Sequence, residues 1–428
     1  MKRSLCVLLC LLICMTALLA GCGESEESSA PAISAEESKG GTTVTEKDIR
    51  ATDLLKNVTA RQLNFTAIER PYHPLVIDLA VKLAQQAQAK AGNDNMLISP
   101  LSVLYAMAMV SNGADDTEAV KTFWGDVDML HINEFMSEYQ AGLTETEKSK
   151  LQIASSVWFT DKEHFTVNRE FLQTVADYYE ADAFAAPFDR QTCKDINTWV
   201  EQNTDGMIKN ILDRVPENAV MYLVNTLAFE AEWAQTYMEN QVIEGIFYAA
   251  DGSEQKVQMM HGEDSYLEDA LAVGFRKYYH GNYSFVAMLP KEGVSVEEYL
   301  ATLTGETLHT LLNSGGNGRA FTVMPQFETE FDMDMIEALK AIGYPIDSSF
   351  NGVGTSTEGS IGISRVLHKT YITMGPQGTK AGAATVVEMK AGSMPEYVGT
   401  VELNRPFVYM IVDNVYNIPL FIGTVKSV

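Results

Sequence analysis

Apolar and polar positions change their spacing along this chain, and the change predicts where helices give way to strands. From Pro74 to Lys90, the residues Leu75, Ile77, Leu79, Val81, Leu83 and Ala84 recur at helical spacing and predict an amphipathic helix. A shorter amphipathic helix is predicted from Thr45 to Asn57. The stretch Asn95 to Met109 (NMLISPLSVLYAMAM) is apolar on nearly every side, so its helix is expected to be buried. Ser99 fits its N-cap, and Pro100 fits the first helical position, where a missing N–H costs nothing. Ser102 near its start is then a buried hydroxyl in need of a partner. Ile196 to Ile211 begins as a helix and meets a turn at Gly206, and Phe331 to Ile342 reads as a helix closed by Gly343. Strands are predicted at Leu151–Phe159, Val220–Phe229, Ser284–Leu289, Phe321–Phe327, Ile361–Met374, Phe407–Val412 and Leu420–Val425. Helices dominate early and strands late, without strand–helix–strand alternation, which argues for an α+β fold.

One stretch fits neither class well. From Thr379, alternate residues are Thr379, Ala381, Ala383, Thr385, Val387 and Met389, small at first and then apolar. The interleaved set, Lys380, Gly382, Ala384, Val386, Glu388 and Lys390, is polar at both ends. Period two is the mark of a strand with one buried face. Yet Gly378, Gly382, Gly392 and the alanines make it a poor strand by itself. No proline interrupts it between Pro376 and Pro395, so nothing forbids a central position in a sheet. It reads as a loop that is able to become a strand.

Composition narrows the partners. The 428 residues carry a formal charge of −26, which disfavours nucleic acid. Of five cysteines, Cys6, Cys10, Cys14 and Cys22 lie at the N-terminus, so Cys193 alone remains in the body and no disulfide framework is available. The seven histidines show no ligand spacing, and no metal or other cofactor is implied. Lys2 and Arg3 precede an apolar run from Leu5 to Ala20, as in a secretory signal. That run ends in Leu19-Ala20-Gly21-Cys22, which resembles a bacterial lipobox with Cys22 as the lipidated residue. Loss of Lys2 and Arg3 with residues 1–21 leaves 29 cationic against 57 acidic side chains, or −28. Residues 22–45, rich in Ser, Glu, Gly and Ala, read as a flexible tether. Residues 46–73 are expected to form a helical extension, and 74–428 the main domain. The expected location is the bacterial cell surface, lipid-anchored, or the extracellular medium.

Nearly all of Pro74 to Val428 resembles the serpin family. The resemblance is carried by Asn95 with Ser99-Pro100-x-Ser102, by Leu223-Val224-Asn225-Thr226-Leu227-Ala228-Phe229 followed by Trp233, and by Phe247-Tyr248-x-x-Asp251-Gly252. Val257-x-Met259-Met260, His368-Lys369, Gly378-Thr379, Asn404-Arg405-Pro406-Phe407 and Pro419-Leu420-Phe421-Ile422-Gly423 follow in family order and at family spacing. The resemblance implies three β-sheets with a large central antiparallel sheet, about nine helices and an exposed reactive loop. It also implies a monomeric, non-enzymatic inhibitor. A target serine protease attacks the loop and forms an acyl-enzyme, and the cleaved loop then inserts into the sheet and distorts the protease. Gly378, Thr379, Ala381, Ala383 and Ala384 would form the hinge of that loop. Trp233 would stand where the loop enters. Ser99, Ser102, Asn225 and His368 would form a buried polar cluster under the sheet; no G-x-S-x-G elbow surrounds either serine, so a hydrolase is disfavoured.

The core-facing set of the loop contains no charge and no proline, which favours inhibition. Two residues depart from the family pattern: Pro376 and Lys380 stand at positions that are commonly acidic, and Pro376 is expected to stiffen the hinge. Counting from Gly378 places the scissile bond near Gly392, within the window Lys390, Ala391, Gly392 and Ser393. Small residues there point to an elastase-like or subtilisin-like target, whereas cleavage after Lys390 would point to a trypsin-like one. Asp115 to Glu147 holds only Lys121 and His131 as basic side chains, so heparin is not expected to activate the protein. The alternative is a non-inhibitory serpin acting as a surface binding module.

Overall fold

In the computed structural model of the chain, the described residues are 49–63, 72–143, 146–216, 219–314, 318–379 and 396–428. All of them fall within the compact unit Lys47–Val428. The proposed lipidation residue Cys22, the loop residues Ala381, Ala383 and Ala384, and the scissile window Lys390 to Ser393 lie outside the described residues.

The described residues form nine α-helices and three sheets. The central sheet is built from β1 (Thr52–Asp53), β2 (Ser149–Thr160), β3 (Asp182–Ala186), β4 (Met221–Glu232), β5 (Phe327–Asp334), β6 (Arg365–Gly375) and β7 (Gly378–Thr379). Their order across the sheet is β1-β3-β2-β4-β7-β6-β5. The sheet is mixed rather than purely antiparallel, because β2 runs parallel to β3 and the lower part of β4 runs parallel to β6. A second sheet of nine strands is anchored by the hairpin of Phe407–Asp413 and Ile418–Val425, both wholly buried.

Helix Pro100–Ser111 is buried along its full length, as its apolar circumference predicts. It packs against β2 and β4 on one side and against Ile418–Val425 on the other, so it ties the two sheets together. Its N-terminus is closed by Ser99, whose Oγ accepts from the Ser102 N–H at 3.4 Å.

Two expectations are corrected. Phe331 to Ile342 is not one helix: β5 occupies Phe327–Asp334, and only Ile336–Ala341 is helical. In β5 the outward residues Glu328, Glu330 and Asp332 alternate with Phe327, Thr329 and Phe331, and this period of two overrides helix propensity. The expected helical extension at 46–73 is likewise absent from residues 49–63, where β1 instead pairs antiparallel with β3, and only Tyr72 and His73 are helical, as the start of helix Tyr72–Ala91. Asp53 Oδ1 accepts from the Leu55 N–H at 2.8 Å and turns the chain out of β1. Leu54, Leu55 and Val58 pack onto the core from irregular backbone. The Arg50 and Ala51 amides donate to Asp195, and the Arg61 side chain pairs with Asp177.

Candidate functional site: a slot in the central sheet

The site follows from the way β4 and β6 meet. At their lower ends they pair directly in parallel register, from Arg365 opposite Tyr222 to His368 opposite Asn225. Continued upward, that register would place Met374 beside Ala231. Thr379 stands between them instead, paired with Met374 on one side and Ala231 on the other. Between the two regions, Lys369–Thr373 and Thr226–Glu230 face each other without a shared ladder among the described residues. The sheet therefore contains a wedge-shaped slot, closed below by β4 and β6 and already occupied at its top by the first two residues of a further strand.

Local chemistry holds that top row. Gly375, Pro376, Gln377 and Gly378 form a two-residue turn between β6 and β7. Pro376 is the first turn residue, where its fixed φ suits the bend and no donor is lost from a ladder. Its carbonyl accepts from the Tyr237 N–H at 3.0 Å, and the Gln377 carbonyl accepts from the Trp233 N–H at 2.9 Å. The expected stiffening at Pro376 thus lies in a turn that is already formed. Gly378 has φ +145°, and a Cβ there would fall 2.0 Å from the Ala231 carbonyl oxygen, so no other residue fits. Thr379 is 1% exposed, and its hydroxyl shares a 2.7 Å hydrogen bond with the Tyr279 hydroxyl. Burial pushes the Tyr279 phenol well above its usual range, so it remains neutral.

Trp233 lies beneath this turn, fully buried and stacked on Tyr279 at 4.1 Å between ring centroids. Its Nε1 donates to the Gly375 carbonyl at 2.9 Å. Sequence reasoning missed its neighbour, Lys277. That ammonium lies 4.3 Å from the Tyr237 ring centroid and 5.4 Å from that of Trp233, with Asp264 Oδ1 at 3.5 Å. Burial lowers the Lys277 pKa, and the Asp264 carboxylate opposes that shift. Thr322 donates to the other Asp264 oxygen at 2.7 Å. The available signal was period two: Phe275, Lys277 and Tyr279 share one face, and a cation between inward aromatics requires an anionic partner.

The polar cluster sits where β4 and β6 close together. His368 is 1% exposed, and its Nε2 accepts from the Ser99 N–H at 3.0 Å. Burial lowers its pKa to about 4, so the ring is neutral and carries its proton on Nδ1. With its acceptor nitrogen committed to a backbone amide, His368 is not placed to act as a base toward Ser99 or Ser102. Asn225 turns toward Ser155, donating at 2.6 Å, and does not join Ser99 or His368. His368 Nδ1, Asn225 Oδ1, Thr226 Oγ1 and Ser102 Oγ are buried and have no protein hydrogen-bond partner among the described residues.

A sheet whose strands β4 and β6 share a ladder only at their lower ends, with the start of a further strand seated between them above, matches a known architecture. The family model described as "Serpin (serine protease inhibitor)" matches residues 75–428. The chain belongs to the serpin family. It is 27% identical to Serpin B3 of Homo sapiens over 374 residues, which cover 79% of this chain and 95% of the relative. The crystal structure of tengpin, a thermophilic serpin, in its native state is 39% identical, with a TM-score of 0.83 over 88% of this chain and all of that one. Tengpin in its latent state gives a TM-score of 0.75 over 85% of this chain and all of that one, at 40% identity. This serpin is therefore more similar in shape to tengpin's native state than to its latent state.

Proposed function

We propose that this serpin is a suicide-substrate inhibitor of extracellular serine proteases with elastase-like or subtilisin-like specificity. The observation that carries the reading is the slot, with Gly378 and Thr379 already paired between β4 and β6. Extension of that strand by residues that alternate Ala381, Ala383, Thr385, Val387 and Met389 fills the slot without burying a charge. About a dozen new ladder hydrogen bonds at about 1 kcal/mol net each supply on the order of 10 kcal/mol. Val387 and Met389 add roughly 1.5–3 kcal/mol apiece. Released before deacylation, even part of this is enough to pull an acylated active site out of register with its oxyanion hole.

Incubation with pancreatic elastase tests the reading in one gel. A denaturant-resistant complex is expected, and the mass of the released C-terminal fragment should place cleavage between Ala391 and Ser393. Quantitative cleavage without any complex would leave the non-inhibitory binding module as the better account. Cleavage after Lys390 would move the target to trypsin-like enzymes. The proposed location is the bacterial surface through lipidated Cys22; incorporation of labelled fatty acid should disappear in Cys22→Ala.

A further inference from the structure

The end of the sheet opposite the hinge carries a concentration of positive charge that is out of character for this chain. Lys162, Arg190, Lys194 and Arg214 line a single cleft of about 910 Å³, in a protein of formal charge −26. All four side chains are exposed. Arg190, Lys194 and Arg214 make no ion pair among the described residues. Two carboxylates share the cleft, Asp189 and Asp213. Asp189 is already engaged, because its Oδ1 accepts from the Gln191 and Thr192 amides at 2.7 and 3.0 Å and caps helix Arg190–Asn203. Even with Lys162 left out of the balance, Arg190, Lys194 and Arg214 outnumber Asp189 and Asp213 along the lining.

Its place in the fold gives that charge a meaning. The Thr160 N–H donates to the Val220 carbonyl and the Asp161 N–H to the Ala186 carbonyl, so the ends of β2 and β3 and the start of β4 lie together. Lys162 follows β2, Asp189 and Arg190 follow β3, and Arg214 precedes β4. At the other end of the same strands, Ser149 pairs with Ala231, and Ala231 pairs with Thr379. A strand continuing from Thr379 descends one row of β4 with each residue. Position 391, twelve after Thr379, therefore reaches the row of Ala219, twelve before Ala231. On that insertion the scissile window arrives at the same end of the sheet as the cationic cleft, about 40 Å below the row of Thr379, with β4 and β2 between it and the end of β3.

We propose that this cleft is an electrostatic cradle for the translocated protease, fitted to an enzyme whose surface beside the acyl bond is acidic. The inference rests on the loop insertion proposed above. Screening confines the attraction to within about 8 Å at physiological ionic strength, so it acts on arrival and not on first encounter at the far pole. It favours completion of translocation over deacylation and so lowers the number of inhibitor molecules consumed per protease trapped.

The test compares wild type with Arg190→Glu/Lys194→Glu/Arg214→Glu against two elastase-like proteases, one acidic and one basic around the active-site cleft. Stoichiometry of inhibition and the association rate constant are measured at about 20 mM and about 500 mM salt. With the acidic enzyme at low salt, the variant's stoichiometry should rise several-fold, and high salt should largely erase the difference. The association rate constant should stay within twofold, and the basic enzyme should show no rise. Arg214→Gln alone should give an intermediate effect. Equal stoichiometries for wild type and triple variant with the acidic enzyme at low salt would overturn the proposal. A rise that ignores salt or the protease's charge would also overturn it. So would an unchanged stoichiometry joined to lost retention on a heparin column, which would mark a polyanion site instead. Failure of wild type to form any denaturant-resistant complex would refute the inhibitory reading itself, a result distinct from the others.

Discussion

Individual side chains at the two ends of the slot make separate demands. Thr379 is buried against Tyr279 and Met374, with no room or counter-charge for a cation. Thr379→Arg should therefore expel the first row from the sheet and turn the protein into a substrate. The expected result is cleavage with less than about a tenth of the wild-type complex yield, since an uncompensated buried charge costs several kcal/mol. Complex formation at the wild-type level would contradict the insertion mechanism. At the closed end, His368 has a folded pKa of about 4 against an unfolded reference of 6.5. The unfolded chain binds the proton first, so stability is lost as pH falls from 6.5 toward 4 and levels off below that. By pH 5 the loss should be about 2 kcal/mol. Denaturant midpoints between pH 7 and 5 should show it, and His368→Gln, which keeps an acceptor for the Ser99 amide, should flatten this part of the profile.

At the scale of elements, the hairpin of β6 and β7 is where the proposed insertion starts. Gly378→Ala drives a Cβ against the Ala231 carbonyl, and the prediction is release of Gly378–Thr379 from the sheet. Limited proteolysis should then cut near Gln377 to Thr379, which is protected in the wild type. Trp233 reports on the same motion, because its Nε1 is bonded to Gly375 and its ring to Tyr279. Its loss in Trp233→Phe should remove most of the change in tryptophan emission that accompanies loop cleavage. What the sequence disclosed at this scale depended on how local the cause was. The Ser99 cap with Pro100 and the wholly apolar helix behind it were legible, because capping and burial are written in neighbouring residues. So was the alternation from Thr379, as a pattern. The β5 strand was misread, since Phe331 to Ile342 also satisfies helical spacing and only pairing with β6 decides between them. Whether Asn225 would reach His368 or Ser155 was not legible, because that choice is set across strands far apart in sequence. The cationic cleft was hidden for the same reason: Lys162, Arg190 and Arg214 are scattered along the chain until β2, β3 and β4 align their ends.

For the whole molecule, the proposed loop insertion would mean that the intact protein lies above its lowest free energy. Cleavage within the loop should therefore raise the melting temperature on the order of 10 °C or more. That figure follows from about 10 kcal/mol of added pairing divided by an unfolding entropy of about 2.1 cal/mol/K per residue. Calorimetry before and after limited proteolysis measures it directly, and an unchanged midpoint would mean that the loop does not insert.

The parallel rows from Arg365–Tyr222 to His368–Asn225 have a further consequence, and it concerns time. They must part before any strand passes below the top of the slot, and two antiparallel ladders then replace one parallel ladder. The return path is closed once those ladders form. On the proposed insertion the protein would carry a clock, and its useful property would be a half-life set by the height of one barrier rather than an equilibrium constant. On that reading each molecule would be spent once, either on a protease or on waiting. Changes at His368, Asn225 or Thr226 that strengthen the closure should lengthen the wait, and they should also slow the capture for which the molecule is held ready.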